Sequence, residues 1–174
     1  RLVSPEIGIV TSVGEMHLET FGSVESVART KFELIDALPE GGFGIVNIDS
    51  EAAARYIADN AIKVHSYAVE AAEADYRAVD IQYGSADTRF GVAKRDGLDE
   101  GYATHILGRG NLLNITAALA VAEYMGVSLE SRRRAVRQIE QVEHRLSLRR
   151  DGGVTILDDA YNSNPTGARM ALEV

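Results

Sequence analysis

The chain has 174 residues, of which 45% are hydrophobic and 25% are charged, a composition typical of a water-soluble globular domain. Its formal net charge of −8 argues against a nucleic acid as the main partner, because binding to a phosphate backbone needs clustered Lys and Arg. There is no cysteine for disulfides or thiolate metal sites, and no apolar run approaches the roughly 20 residues of a membrane span.

The N-terminal part alternates between strand and helix patterns. Glu6–Val13 and Phe43–Asp49 are short apolar runs typical of buried strands. Helices are predicted after Ser23, ending before Pro39, and after Ser50. This alternation predicts an α/β fold with a mostly parallel sheet and helices on both faces.

The helix after Ser23 carries Lys31 on its apolar stripe. The other members of the stripe are Val24, Val27, Ala28, Leu34, Ile35 and Leu38. A lysine there can lay its aliphatic stem on the apolar surface and keep its ammonium in water. Alternatively, it reaches a polar site at the end of the sheet, where an amine becomes chemically usable.

The middle of the chain has a different pattern. Four short alternating segments predict antiparallel, half-exposed strands, with Gly97 and Gly101 at one of the bends. The segments are KVHSYAV, YRAVDIQYG, TRFGVAKR and GYATHILG. We expect them to add a small antiparallel region to the fold.

The C-terminal part predicts two helices, a strand and the start of another helix. Asn111–Gly126 is apolar almost all round, which indicates a deeply packed helix. An amphipathic helix follows Ser128, and its basic run Arg132–Arg134 is predicted to be a solvated face. A strand then leads through a polar loop to a helix capped by Asn164, with Pro165 at its first position.

Two groups of polar residues precede predicted helices in the first two thirds of the chain. His17 lies in the loop GEMHLE after the first strand, where open α/β sheets bind ligands, although a single His is more often structural. Asn111 and Asn114 share one face of a helix start. One is expected to cap the helix, and the other could read an adenine edge or face solvent.

Two further groups lie near the C-terminus. Arg145 follows His144 at the predicted end of a helix, where it could complement the helix dipole or clamp a phosphate. Asp158 and Asp159 follow an apolar strand, in the segment DDAYNSNP. Their carboxylates suit ribose hydroxyls or a cation, and the segment is equally typical of a polar turn before a helix.

Together these stretches resemble the central ATPase domain of the Mur ligases, in particular the branch that adds D-alanyl-D-alanine to UDP-N-acetylmuramoyl-tripeptide. Four motifs carry the resemblance: a G-x-x-H-L-E loop with a later lysine, a G-x-x-N-x-x-N-x-x-A-A helix start, an H-R pair before a strand, and D-D-x-Y-N-x-N-P. In this chain they are GEMHLE with Lys31, GRGNLLNITAA, EHRLSL and DDAYNSNP. The resemblance covers essentially the whole chain.

The resemblance implies an ATP- and Mg²⁺-dependent ligase of the bacterial cytoplasm. Such an enzyme serves peptidoglycan synthesis, and through it cell wall biogenesis, cell shape and cell division. Its substrates are UDP-N-acetylmuramoyl-tripeptide and D-Ala-D-Ala. The tripeptide carboxylate is activated as an acyl phosphate, and the dipeptide amine then attacks it with release of ADP and phosphate.

The resemblance also implies roles for single residues. Lys31 would be the family's carbamylated lysine and would bind Mg²⁺ through its carbamate, because removal from water favours the neutral amine that combines with carbon dioxide. His17 would hold a second Mg²⁺, and Arg145 would contact the γ-phosphate. The other nucleotide-binding residues would be Asn111, Asn114 at the adenine, Asp159 at the ribose, Tyr161 and Asn162.

The chain contains no G-x-x-x-x-G-K-[ST] phosphate loop, and both ends look cut. We therefore expect residues 1–174 to be part of the central domain, without the phosphate-loop segment or the N- and C-terminal domains, and to be inactive alone. One alternative is another ligase of the superfamily, of the diamino-acid-adding or folylpolyglutamate type. The other is a non-catalytic binding module that retains the fold.

Overall fold

The computed structural model describes residues 4–14, 21–84, 87–161 and 165–174. In it the chain forms a six-stranded sheet packed against helices and a separate two-stranded hairpin. The strands of the main sheet are β1 (Ile7–Val10), β2 (Phe43–Asn47), β3 (His65–Ala68), β4 (Tyr76–Tyr83), β5 (Thr88–Lys94) and β6 (Gly97–Thr104). The hairpin consists of β7 (Ser147–Asp151) and β8 (Val154–Asp158). The helices are α1 (Val24–Asp36), α2 (Glu51–Asp59), α3 (Arg109–Tyr124), α4 (Leu129–Gln138) and α5 (Pro165–Leu172). Among these described helices, none is both long and apolar enough to cross a bilayer.

The main sheet is parallel from β1 to β4 and antiparallel from β4 to β6. The predicted mostly parallel sheet with a small antiparallel region is thereby confirmed. The interpretation of KVHSYAV as an antiparallel strand is wrong, because β3 pairs in parallel with both neighbours. Gly101 also differs from the prediction, since it lies inside β6, whereas Gly97 does follow the turn from β5.

Helices cover both faces of the parallel strands, as predicted. Val46 of β2 packs in a core with Phe32 of α1 and Ala53 of α2. Phe43 and Ile45 alternate with Val46 along the strand and pack on the other face, against α3. Every residue of β2 is buried, which explains its continuous apolar run.

Both α1 and α2 begin after the predicted serine, but only the serine before α1 caps its helix with a hydrogen bond. The Ser23 hydroxyl accepts a hydrogen bond from the Ser26 backbone N–H at 3.1 Å and so caps α1. The buried residues of α1 are Val27, Ala28, Phe32 and Ile35. Ser50 occupies the N-cap position of α2, but its side chain makes no capping hydrogen bond and bonds to the loop after β1 instead.

The basic run of α4 is not wholly solvated, contrary to the prediction. Arg132 is only 8% exposed, and its guanidinium lies 2.9 Å from Asp99 and 2.5 Å from Glu123. Lys94 lies 2.8 Å from Glu123 and 3.2 Å from Asp99. These four residues, which we name the charge cluster, connect β5, β6, α3 and α4, with Arg132 and Asp99 buried and Lys94 and Glu123 half-buried.

Candidate functional site

The loop that follows β1 is held by side chains from β2 and the start of α2. Asn47 Nδ2 donates to the carbonyl of Thr11 at 2.9 Å. Ser50 Oγ accepts from the N–H of Val13 and donates to its carbonyl, both at 3.0 Å. The segment that leads into GEMHLE is therefore anchored at the carboxyl end of β1, the edge where open α/β sheets bind ligands.

Lys31 reaches this same loop from α1. Its Nζ donates to the backbone carbonyl of Ser12 at 2.6 Å, and the side chain is half-buried. The amine therefore lies at the carboxyl end of β1, the position that the second interpretation of the sequence requires. A carbamate nitrogen retains one N–H, so the bond to Ser12 is compatible with either form of the lysine.

Asp49 joins the ends of β2 and β3 and was not singled out from the sequence. Its carboxylate accepts hydrogen bonds from three backbone N–H groups, those of Val69 at 2.7 Å, Glu70 at 3.1 Å and Ala71 at 2.8 Å. Glu70 in turn forms an ion pair with Arg109, the first residue of α3. The signal that could have revealed Asp49 is its carboxylate just past the continuous apolar run of β2.

A second polar group forms where the turn before β7 meets the segment after β8. The guanidinium of Arg145 lies over the ring of Tyr161, 3.9 Å from its centroid. The Tyr161 N–H donates to the carbonyl of His144 at 3.1 Å. The Leu146 N–H donates to Asp159 Oδ1 at 3.0 Å, so three of the predicted nucleotide-binding residues lie within one small network.

The turn that carries His144 and Arg145 lies elsewhere than predicted. Because α4 ends at Gln138, His144 and Arg145 do not lie at its end, and the helix-dipole role for Arg145 is excluded. His144 Nδ1 instead lies 2.8 Å from Asp158 Oδ2. This hydrogen bond is the main reason why the pKa of Asp158 lies below its ordinary value.

The start of α3 lies against this turn. The helix begins at Arg109 with Gly108 at the N-cap position, so neither asparagine is the N-cap, contrary to the prediction. Asn111 Nδ2 donates to the carbonyl of Leu107 at 2.8 Å, whereas Asn114 is exposed. Contacts thus run from the loop after β1 through Asn47 and Asp49 to Glu70 and Arg109, and the adjacent Gly108 lies beside the turn that carries Arg145.

Gly108 brings the start of α3 and the turn into close approach. Its φ is +84°, and a Cβ there would lie 2.4 Å from Leu146 Cδ2. We expect Gly108→Ala to lower the free energy of unfolding by about 2–4 kcal/mol, the sum of left-handed strain and overpacking. Gly126→Ala is the matched control, because its φ is +77° and a Cβ there would meet nothing within 4 Å. Urea unfolding measures both, and equal losses would show that Leu146 simply moves aside.

Two predicted site residues, His17 and Asn162, lie outside the described residues, as does the predicted cap Asn164. Among the residues that the structure describes, no group of three or more His, Asp and Glu side chains is placed to hold a metal ion. The predicted Mg²⁺ site, which needs His17 and a carbamylated Lys31, therefore stays a prediction.

The fold and the location of these polar residues define an α/β domain with polar side chains gathered at its strand ends and turns. Residues 1–122 match the Mur ligase middle domain, so the chain belongs to the Mur ligase family.

The chain is 29% identical, over its whole length, to the UDP-N-acetylmuramoyl-tripeptide–D-alanyl-D-alanine ligase of Bacillus subtilis, of which it covers 37%. Among solved structures, it resembles a MurF from Acinetobacter baumannii with a TM-score of 0.84 and 27% identity, over 98% of this chain and 37% of that one. It also resembles the MurF ligase of Thermotoga maritima in complex with ADP, with a TM-score of 0.81 and 25% identity, over 98% of this chain and 39% of that one. The chain thus spans little more than a third of these relatives.

Proposed function

We propose that residues 1–174 are part of the central, ATP-binding domain of a ligase that joins D-Ala-D-Ala to UDP-N-acetylmuramoyl-tripeptide in peptidoglycan precursor synthesis in the bacterial cytoplasm. The observation that carries the proposal is the network of Arg145, Asp159 and Tyr161 beside the start of α3. The similarity to the MurF structures, one of them with ADP, supports the same function.

The residues of this network suit a nucleotide. The planar Arg145 guanidinium would bind a phosphate through paired N–H donors. Asp159 uses Oδ1 for the backbone of Leu146, which leaves Oδ2 to accept from a ribose hydroxyl. Asn114 is exposed on the first turns of α3, and its amide can both donate to and accept from an adenine edge.

At the other end of the edge, Lys31 would act on the acyl side of the reaction. As a carbamate it would supply hard anionic oxygens to one Mg²⁺, and His17 would hold a second Mg²⁺. When bound, ATP would supply the phosphoryl group that activates the tripeptide carboxylate. The contribution of the chain's own residues is then to hold the phosphates and the carboxylate in place and to neutralise charge.

The experiment is ATP-dependent phosphate release by the full-length protein that contains this chain. We expect turnover that requires both UDP-N-acetylmuramoyl-tripeptide and D-Ala-D-Ala, with a decrease of about a hundredfold in Arg145→Ala. ATP binding without turnover on these substrates would indicate another ligase of the superfamily. Absence of ATP binding would contradict the proposal and favour a non-catalytic module.

A further inference from the structure

We infer that Asp158 is a positioning residue for Arg145. This inference rests on the proposed function of Arg145 as a phosphate ligand. Arg145 lies between two non-glycine residues with positive φ, His144 at 62° and Leu146 at 51°. Left-handed backbone is unfavourable for residues with a Cβ and persists only where surrounding contacts hold it. The direction of the Arg145 side chain therefore depends on whatever fixes this turn.

Asp158 fixes the turn from the side of β8. Its Oδ2 accepts from His144 Nδ1 at 2.8 Å and also pairs with Arg149 of β7. Its Oδ1 accepts from the Ala160 N–H at 3.2 Å. Since the residue is only 9% exposed and both oxygens have protein partners, Asp158 is an anchor rather than a ligand-binding group.

The remaining contacts show why this anchor matters for Arg145. Leu146 is held by Asp159, and the His144 carbonyl is held by the Tyr161 N–H. Arg145 itself donates its backbone N–H to the Val142 carbonyl at 3.1 Å. Without Asp158, the imidazole of His144 loses its partner on β8, and the turn can relax away from the strained conformation that presents the guanidinium.

A double-mutant cycle in the full-length ligase tests the inference. We expect kcat to fall about a hundredfold in Arg145→Ala and about tenfold in Asp158→Ala, which leaves His144 Nδ1 without its acceptor on β8. If Asp158 acts through Arg145, the double variant is no slower than Arg145→Ala, within about twofold. Asp151→Asn is the control, because it removes a carboxylate from an exposed position of the same hairpin and should leave kcat unchanged.

A double variant slower by the product of the two single effects would overturn the inference and leave the proposed function standing. An unchanged kcat in Arg145→Ala would overturn the proposed role of Arg145 together with the inference. His144→Gly guards against misfolding of the Asp158 variant, because glycine adopts the positive φ without strain while the anchor to Asp158 is lost. We expect it to show the same tenfold loss, and full activity in this variant would contradict the inference.

Discussion

Under the proposed function, replacement of Lys31 by alanine in the full-length protein is expected to lower kcat by about a hundredfold to a thousandfold while the protein stays folded. The loss follows from removal of the group proposed to hold charge at the acyl end of the site. Folding should be retained because alanine is the best helix former and Lys31 is half-buried on α1, outside the apolar core of that face. Phosphate release and thermal unfolding measure the two quantities.

Arg29→Ala is the matched control for this prediction. It removes an exposed cation from the same helix and should leave kcat within about twofold of the wild type, since exposed charges contribute little. Carbon-13 bicarbonate should give a carbamate resonance in the wild type and in Arg29→Ala, but not in Lys31→Ala. An unmodified lysine in the protein with ATP and Mg²⁺ bound would contradict the carbamate role.

Replacement of Glu123 by glutamine is expected to lower the free energy of unfolding by about 3–5 kcal/mol. The change leaves Lys94 and Arg132 in the charge cluster with Asp99 as their remaining carboxylate, and an uncompensated charge on a group such as the buried Arg132 is costly. Urea unfolding of the chain measures the loss. Glu130→Gln is the control, because its ion pair with Arg134 is exposed and should be worth no more than about 0.5 kcal/mol.

The stability that Glu123→Gln loses should also depend on pH. Burial disfavours the charge of Lys94, but hydrogen bonds to Glu123 and Asp99 outweigh it and raise the pKa of Lys94 above its ordinary value of 10.5. Its contribution to stability is therefore complete below that ordinary value and is lost as the pH rises through the folded pKa. The difference between wild type and Glu123→Gln should narrow above about pH 10.5. A difference that stays constant through this alkaline range would contradict the role of Lys94.

Local patterns in the sequence were sufficient for much of the fold. Apolar runs located β1 and β2, and the capping serines Ser23 and Ser128 located the starts of α1 and α4. These features depend on neighbours within one or two turns, which the sequence records directly. The position of Asp159 directly after β8 followed from the same patterns.

The tertiary structure decided what depends on distant partners. The local pattern of β3 is equally compatible with both strand directions, and its parallel pairing is set by where the chain returns to the sheet. Arg132 and Glu123 belong to different helices, and Lys94 meets Glu123 across 29 residues, so no helical periodicity could show that they form one cluster. By itself, the sequence determined the element types and the family motifs. Long-range packing decided which strands pair, which charged side chains are buried and which turn presents Arg145. Each of these depends on groups that only the folded chain brings into contact.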